Sequence, residues 1–373
     1  MKRIGGLWPK LTSFENLHRA AHNAALGKKG RSDVAAFMLD LENELARLRR
    51  ELLSEEYEPG SYRTFVIREP KPRQISAAPF RDLVVHHALT QVLEPVFEPK
   101  FSSACYACRK GLGTHKAIRA AREAVLRHHY VLKCDIRKYF ASIDHEILNG
   151  LLARAVKCTQ TLRLAERIIA GSNPQEETIT YFPGDDLFTP FGRRRGLPLG
   201  NQTSQFFANV YLNPLDQLVT RKLRCGPYIR YVDDFLVFGD DKPSLAFLKR
   251  KIEEQLSALR LRLHEGKSRL YRTCDGVTFL GWVLFPGHAR LARQNVVRFR
   301  RRLRGLSAMF EQGAIPWEEV KLRVQAWIAH ASHGQTYRLR DQIFEETTFK
   351  WIAARTARRE LEQQLEEPAG VEP

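Results

Sequence analysis

Three aspartates stand where carboxylates could act together. Asp135 ends the β-prone run YVLKCD, and Asp233 and Asp234 lie at the centre of YIRYVDDFLVFG, between apolar residues. The second run predicts two strands and a tight turn with both acids at the bend. An isolated Asp-Asp pair is often a solvated turn, but charge inside an apolar hairpin is costly unless a cation neutralises it. The flanks therefore favour a metal site.

The chemistry that suits such carboxylates is phosphoryl transfer from a nucleoside triphosphate. That reaction needs two divalent cations to steady the attacking and leaving oxygens. Oxygen ligands suit Mg²⁺, which keeps some waters and substrate phosphates as further ligands. We predict that Asp135, Asp233 and Asp234 hold two Mg²⁺ ions, with Mn²⁺ as a substitute.

The overall charge indicates a polyanionic partner. The chain of 373 residues has 60 Lys and Arg against 42 Asp and Glu, a formal charge of +18. Nucleic acid is the first partner to expect. No apolar run approaches the roughly 20 residues of a membrane span, so we expect no membrane partner. The opening residues lack the apolar stretch of a secretory signal, which predicts a cytoplasmic location.

Two arginine-rich segments are predicted to contact nucleic-acid phosphates, and such contacts make binding depend steeply on salt. The first is the run Arg193, Arg194 and Arg195, and the second covers residues 290–304. Charge runs are often solvated helix faces, but the +18 excess favours phosphate contacts. In the second segment the candidates are Arg298, Arg301 and Arg302.

Periodicity predicts a mixed α+β chain. Helical spacing covers residues 11–56, 82–97, 115–126, 201–223 and 243–263. Extended runs predict a hairpin at 61–76 around a Pro-Lys-Pro break and strands around 277–285. Residues 173–192 predict a loop or small hairpin, and Asp144 is expected to cap the helix that follows it.

Several segments resemble the motifs of reverse transcriptases. Tyr231 to Asp234 is similar to their YxDD box, and CDIRKYFASID is similar to their first acidic motif. The other five are KPRQI, RDLVVHHAL, YACRKGLGTHKAI, GLPLGNQTSQFFANVYLNPLD and FLGW, so that seven motifs follow in the family's order within residues 61–285. The resemblance implies a right-hand polymerase fold with fingers, a palm of antiparallel sheet and helices, and a helical thumb.

The resemblance also implies a domain organisation. Residues 1–60 would be an N-terminal helical extension and residues 61–285 the fingers and palm. Residues 286–355 would be the thumb, and the acidic segment 356–373 is predicted to be a disordered tail. No ribonuclease H, endonuclease or maturase extension is recognised, so we expect priming and processing to come from elsewhere.

Carried over from the family, Asp135 and Asp233 would be the main metal ligands, with Asp234 a weaker participant. Lys71 and Arg73 would hold the incoming triphosphate, because fixed cationic groups match its oxygens. The alternative for both residues is that the side chain is simply solvated at the turn, and this alternative carries more weight for Lys71 than for Arg73.

Three further roles are implied for four residues. The ring of Phe140 would exclude a 2′-hydroxyl and select dNTPs, unless it is simply a core aromatic. Lys267 would protonate the departing pyrophosphate, although a surface lysine is as plausible. Gly281 and Trp282 would belong to the primer grip. The expected partners are template RNA and the cDNA or primer.

The segment after Pro198 separates subfamilies. Most reverse transcriptases have Gln-Gly and then Ser-Pro, whereas this chain has Leu199-Gly200 and then Ser204-Gln205. The departure is similar to enzymes of diversity-generating retroelements, which copy RNA with errors opposite adenine and bind a small, basic, pentameric accessory protein. An aliphatic side chain cannot make the hydrogen bonds of Gln beside the nascent base pair. The alternative is that Leu199 merely packs.

Other functions remain open on the sequence alone. A reverse transcriptase of a phage-defence system would use the same chemistry for another purpose. A catalytically dead RNA-binding scaffold is disfavoured because all three acids are present. An RNA-making polymerase or primase is disfavoured by Phe140.

Cys105 and Cys108 form a CxxC near His115, but without a second CxxC we predict buried thiols and no zinc.

Overall fold

The computed structural model describes residues 3–68, 72–172, 179–347 and 349. The chain forms two compact units. The first contains the described residues up to Ala124 and those from His128 to Tyr271, and the second contains Val125–Arg127 and the described residues from Arg272 on. The predicted parts 1–60 and 61–285 thus share the first unit as far as Tyr271. The four-part division stays a prediction, and Lys71 lies outside the described residues.

The first unit combines helices with a four-stranded sheet and a separate two-stranded hairpin. The helices of its described residues are α1 Trp8–Leu11, α2 Phe14–Ala25, α3 Ser32–Leu39, α4 Leu41–Leu53, α5 Phe80–Phe97, α6 Thr114–Arg127, α7 Tyr139–Ser142, α8 His145–Ala153, α9 Thr159–Ala170, α10 Thr189–Gly192, α11 Gln202–Gln217 and α12 Lys242–Ala258. The last three residues of α6 fall in the second unit. Its strands are β1 Arg63–Ile67, β2 Arg73–Ala77, β3 Tyr130–Asp135, β4 Tyr228–Tyr231, β5 Asp234–Gly239 and β6 Arg269–Arg272, of which the last residue falls in the second unit.

The helical prediction for residues 11–56 is confirmed as the end of α1 and helices α2 to α4. The side chain of Ser13 accepts a hydrogen bond from the amide of Asn16 and so caps α2. Leu17, Leu45 and Leu48 are fully buried, as the amphipathic spacing requires. These helices therefore join the main core of the first unit.

The central sheet has the strand order β4-β5-β3-β6. Strands β3 and β5 form an antiparallel pair whose residues are apolar on both sides of the ladder, such as Leu132 opposite Val237. Helix α11 packs beside the sheet, and a π-helical turn, Leu218–Lys222, continues it over the range predicted to be helical. Helix α12 ends at Ala258, earlier than predicted, because Arg260 adopts a left-handed conformation with φ of 53°.

The described residues of the second unit form a three-stranded antiparallel sheet and three α-helices besides the end of α6. Its strands are β7 Val277–Phe279, β8 Trp282–Phe285 and β9 His288–Leu291, and its helices are α13 Arg293–Glu311, α14 Trp317–Ala331 and α15 Tyr337–Glu345. Strand β9 was not expected from the sequence. The ring of Phe299 stacks on that of Trp327 with centroids 3.6 Å apart and anchors the helices on one another.

The expected α+β class is confirmed. The prediction that Asp144 caps a helix is also confirmed, since its Oδ1 accepts from the amide of Ile147 at 3.2 Å. No helix among the described residues combines the length and the apolar character needed to cross a membrane.

Candidate active site

Two of the three predicted carboxylates face each other across neighbouring strands. Asp135, the last residue of β3, pairs in register with Asp234, the first residue of β5. Directly opposed residues of an antiparallel pair point to the same face, with Cβ atoms about 5 Å apart. Asp233 belongs to the two-residue turn that joins Tyr231 of β4 to Asp234. The hairpin and β3 thus bring the acids to one end of the sheet.

The turn that carries Asp233 is strained. Val232 has a φ of +58°, a left-handed conformation that a β-branched residue rarely adopts. Such a conformation costs on the order of 1–3 kcal/mol and persists only where the surroundings enforce it. The carbonyl oxygen of Val232 accepts a hydrogen bond of 2.9 Å from Nη1 of Arg230. We infer that this bond helps to hold the turn.

Arg230 is fully buried and forms a bidentate ion pair beneath the turn. Its Nε and Nη2 lie 2.7 and 2.6 Å from the two carboxylate oxygens of Asp216. The hydroxyl of Tyr228 also donates to Asp216, at 2.8 Å, and Asn209 Oδ1 lies 3.3 Å from Nη1 of Arg230. The backbone of Arg230 bonds to Ala104 and to Tyr106. The network therefore joins the turn, α11 and the segment 104–106.

Arg230 and Asp216 were not among the candidate residues predicted from the sequence. A signal was present, because Arg230 interrupts an apolar strand and Asp216 interrupts the apolar face of α11. Charges in such positions are buried and require a partner. Only the fold shows that each is the partner of the other.

Burial and mutual repulsion shape the acidity of the hairpin acids. Burial raises the pKa of Asp234 to about 7; nearby Lys133 opposes the shift, while the charges of Asp233 and Asp135 add to it. Burial also raises the pKa of Asp233, with Asp135 contributing and Lys267 opposing. These mutual effects require that the three carboxylates lie close together.

Asp135 is held by the segment that follows α12. Its carbonyl oxygen accepts from the amide of His264 at 2.7 Å, and its amide donates to the hydroxyl of Ser268 at 3.2 Å. Nζ of Lys267 lies 2.9 Å from Oδ1 of Asp135, and the lysine side chain is half exposed. Lys267 thus forms an ion pair with a predicted metal ligand.

The acids fit a divalent cation. Oδ1 of Asp234 is buried without a hydrogen-bond partner in the described part of the chain, an expensive arrangement that a cation would relieve. Within the same residues, no group of three or more His, Cys, Asp or Glu side chains is already closed around an ion position. Mg²⁺ does not require such a cage, because waters and substrate phosphates complete its shell.

The segment 197–200 contacts two elements that carry predicted nucleotide-binding residues. The amide of Leu197 donates to the carbonyl of Phe140 at 2.8 Å, and the amide of Ser76 in β2 donates to the carbonyl of Leu199 at 3.2 Å. Gly200 has a φ of +115°, and a Cβ there would lie 3.1 Å from Ile75. This segment therefore connects Phe140 to the strand that begins with Arg73.

Arg73 is exposed at the start of β2 and lies near enough to Asp233 to lower the pKa of that carboxyl, against the stronger effect of burial. Phe140 is half-buried beside Tyr139, with ring centroids 5.5 Å apart. Leu199 is half-buried as well. The roles of these residues as substrate contacts stay predictions.

Gln205 is exposed on α11, and its Oε1 accepts a weak hydrogen bond from the thiol of Cys108 at 3.4 Å. Cys105 is a buried free thiol, as predicted, but Cys108 is exposed. The expectation of two buried thiols is thus wrong for Cys108, which lies at the surface in a left-handed conformation with φ of 53°.

Arg193 differs from its prediction as a phosphate contact. Only 5% of its side chain is exposed, and its guanidinium pairs with Asp185 and lies 3.5 Å from Asp144. Two carboxylates already occupy it, so its first role is structural. Arg194 is exposed, and Arg195 is half-buried with Nη1 donating to the carbonyl of Pro190 at 3.2 Å.

The primer-grip candidates lie in the second unit. Trp282 is completely buried, with its ring 5.6 Å from that of His330, so its side chain cannot touch a primer as expected. Gly281 has a φ of +85°, and its carbonyl accepts from Asn295 at 3.1 Å. The backbone turn rather than the indole is the accessible feature.

Of the arginines in the predicted thumb, Arg301 and Arg302 are exposed on α13, as a phosphate contact requires. Arg298 is half-buried, with Nη1 3.4 Å from Oδ1 of Asn295. Phosphate binding by all three stays a prediction.

Comparison with known sequences places this site in a family. The sequence profile described as reverse transcriptase (RNA-dependent DNA polymerase) matches residues 67–284, which include all three acids and more than half of the chain. The chain belongs to the reverse transcriptase family. This membership confirms the right-hand polymerase fold class that the motifs implied. Reverse transcriptase domains use divalent metal ions, in agreement with the carboxylates at the sheet end.

Individual relatives of this reverse transcriptase are distant. Protein YkfC of Escherichia coli is 24% identical over 68% of this chain and 74% of its own length. The group II intron-encoded protein LtrA of Lactococcus lactis is 23% identical over 56% of this chain, and the matched part is 33% of LtrA. A solved structure of apo telomerase from Candida tropicalis has 13% identity and a TM-score of 0.46, over 62% of this chain and 55% of that one.

Proposed function

We propose that this protein copies a template RNA into cDNA from dNTPs, with two Mg²⁺ ions at Asp135, Asp233 and Asp234. The observation that carries the proposal is the register of β3 and β5, which sets Asp135 opposite Asp234 beside a turn that presents Asp233. The family profile, which spans these acids, supports the same reaction class.

In the proposed mechanism the side chains of this chain position the reactants. Asp135 and Asp233 are the main ligands, and Asp234, whose Oδ1 lacks a partner among described residues, completes the negative site. When bound, the two ions would lower the barrier by stabilising the attacking 3′-hydroxyl oxygen and the leaving phosphate oxygen. Arg73 and Lys71 hold the triphosphate as fixed cations. Phe140 packs under the sugar and leaves no space for a 2′-hydroxyl.

Lys267 has a two-stage role in this proposal. Without substrate its ammonium group pairs with Asp135 at 2.9 Å. When a nucleotide fills the cleft, the half-exposed side chain can turn to the β-phosphate and give a proton to the departing pyrophosphate. The ion pair keeps the lysine beside the reaction in the meantime.

The direct test is primer extension on an RNA template with Mg²⁺ and dNTPs. We expect the wild type to extend the primer and Asp233→Ala to lose at least about a thousandfold in rate, because a main ligand of the charge-stabilising ions is gone. Chelation of divalent ions by EDTA is expected to stop the wild type. A wild type that stays inactive with its cognate RNA and partner present would count against the proposal.

We further propose that copying is error-prone opposite adenine, as in diversity-generating retroelements. Leu199-Gly200 and Ser204-Gln205 support this subtype, and the hydrogen bond from Ser76 to Leu199 links the loop to β2 beside the proposed nucleotide site. Leu199→Gln is expected to lower misincorporation at template adenines by severalfold while leaving other positions unchanged. Sequencing of the cDNA measures this, and accurate copying at adenine by the wild type would refute the subtype alone.

The proposed partners are the template RNA, the cDNA or primer, and a small basic protein that forms a pentamer. Co-expression and size-exclusion chromatography test the pentamer directly. The genes beside this one separate the subtype from a phage-defence role: a template and variable repeat pair supports diversification, and a toxin gene supports defence.

A further inference from the structure

A second cationic site lies in the first unit, outside the carboxylate cluster. It is a cavity of about 130 Å³ lined by ten described residues, none of which is acidic. Six of the ten are cations: Arg137, Lys138, Arg193, Arg195, Arg260 and Arg262. They come from three segments that are far apart in the sequence. These are the turn after β3, the segment that follows α10, and the turn after α12.

The fold brings these segments together through the backbone. The amide of Arg137 donates to the carbonyl of Arg262 at 2.9 Å, and Ile136 forms a β-bridge with Leu263. This pairing extends directly from Asp135, so the cavity adjoins the strand that carries a predicted metal ligand. Strand pairing therefore fixes two of the cations, Arg137 and Arg262, on neighbouring backbones.

The ring of Phe182 packs against two of the guanidinium groups. The centre of the Phe182 ring lies 5.7 Å from the guanidinium carbon of Arg193 and 5.5 Å from that of Arg262. Arg262 also donates to the carbonyl of Tyr181 at 2.7 Å. Cation-π contacts keep a guanidinium flat and oriented. These two side chains are therefore preorganised, which lowers the entropic cost of binding a ligand.

Carboxylates outside the cavity pair with two of the six cations, Arg193 and Arg260. Asp144 and Asp185 pair with Arg193, and Asp144 and Glu146 pair with Arg260. These acids bind the cations from outside the lining, which leaves Arg137 and Arg262 without a carboxylate partner among the described residues. Arg137 and Arg262 share a small space with the other cations of the lining, and a bound anion would offset the repulsion between these two side chains.

We propose that this cavity binds a phosphate group through Arg137 and Arg262. Arginine forks match phosphate oxygens in geometry and charge, and none of the ten lining residues is acidic. The phosphate belongs either to the backbone of bound RNA or to free pyrophosphate. The proposal does not rest on the proposed polymerase activity, because Asp135, Asp233 and Asp234 are not among the residues that line the cavity.

The test compares two double variants of the full chain in EDTA, so that metal ions cannot recruit phosphate to Asp135 and its neighbours. Arg137→Gln with Arg262→Gln removes the proposed contacts. Arg19→Gln with Arg154→Gln removes the same charge from two exposed arginines elsewhere in the first unit. Circular dichroism and thermal unfolding check that each variant folds. If the Arg262 change destabilises the loop that contains Tyr181 and Phe182, the single variant Arg137→Gln replaces the double variant in the test.

Two probes separate the sources of phosphate. Calorimetry with inorganic pyrophosphate reports a free ligand, and fluorescence anisotropy with an unprimed single-stranded RNA reports a backbone ligand. We expect the Arg137/Arg262 variant to bind at least one probe roughly tenfold more weakly than the control variant does. For RNA, the slope of log K against log salt should also become shallower by about 0.7 for each lost phosphate contact.

Weakening of pyrophosphate binding would assign the site to a free ligand, and weakening for RNA alone would assign it to the nucleic-acid backbone. If the two double variants bind both probes equally, the proposal is overturned. Since none of these measurements requires catalysis, an inactive polymerase would leave the result interpretable.

Discussion

Nη2 of Arg230 lies 2.6 Å from Oδ2 of Asp216, and both side chains are completely buried beneath the turn that carries Asp233. The same guanidinium donates to the carbonyl of Val232, which is in a left-handed conformation. The guanidinium group of Arg230 therefore contributes both to the stability of the fold and to the geometry of the turn. The ion pair compensates the buried charge, and the remaining N–H positions the turn.

Separate substitutions should distinguish these two effects. Asp216→Asn and Arg230→Met each leave a buried group without its charge partner, so we expect either to lower the free energy of unfolding by about 3–5 kcal/mol. The double variant Arg230→Met with Asp216→Leu should lose less than the sum of the two, because no buried charge remains. Urea unfolding followed by circular dichroism measures these differences.

Primer extension by the same double variant should remain slow, since Val232 has lost its donor. A positioning role predicts a fall in kcat with little change in KM for dNTPs. Full kcat in the stable double variant would show that the pair serves stability alone.

Divalent ions should stabilise the fold through the carboxylates. Asp234 is half-buried, and a cation would relieve the repulsion that helps to raise its pKa to about 7. At a Mg²⁺ concentration about 100 times Kd, linkage predicts about 2.7 kcal/mol of added stability for the wild type. Asp234→Asn should show a smaller gain, and Glu42→Gln, which changes an exposed acid on α4, should match the wild type. Thermal unfolding with and without Mg²⁺ checks this, and equal gains in all three proteins would contradict it.

Phe140 should set the preference for deoxynucleotides. Phe140→Val opens space beside its half-buried ring, so we expect the ratio of kcat/KM for rNTPs to that for dNTPs to rise by about tenfold or more. The ratio is insensitive to the fraction of folded enzyme. Tyr139→Phe is the matched control, because it changes the neighbouring ring by a single hydroxyl, which donates to the buried carbonyl of Ala208. An unchanged ratio in Phe140→Val would assign the ring to the core alone.

A buried histidine should make the fold sensitive to acid. Burial in α5, with repulsion from His87, lowers the pKa of His86 from its ordinary 6.5 to about 3. The unfolded chain therefore takes up this proton first as the pH falls. Above about pH 6.5 the ring is neutral in both states, so it leaves the free energy of unfolding unchanged. Between about pH 6.5 and pH 3 that free energy falls as the pH falls, with a slope of up to about 1.4 kcal/mol per pH unit.

His86→Leu should reduce that slope between pH 6.5 and pH 4 without breaking a hydrogen bond, because neither ring nitrogen has a partner among the described residues. His22→Gln, on the exposed face of α2, is the control. Denaturant unfolding at a series of pH values decides the matter; the same slope in His86→Leu as in the wild type would refute the assignment.

The sequence by itself determined the local features of this protein. The apolar flanks of Asp233 and Asp234 predicted a hairpin with both acids at its bend, and spacing predicted the helices and the cap at Asp144. Motif order indicated the family. These succeed because turns, caps and periodicity depend on residues within a few positions of one another.

Only the tertiary structure decided which charged and aromatic side chains remain free. Arg193 and Trp282 were expected to bind nucleic acid but are buried, whereas Arg230 and Asp216 were overlooked although they support the turn. The register of β3 on β5 likewise set Asp135 opposite Asp234 across about a hundred residues of chain. Burial and pairing depend on segments distant in sequence, so local patterns do not specify them.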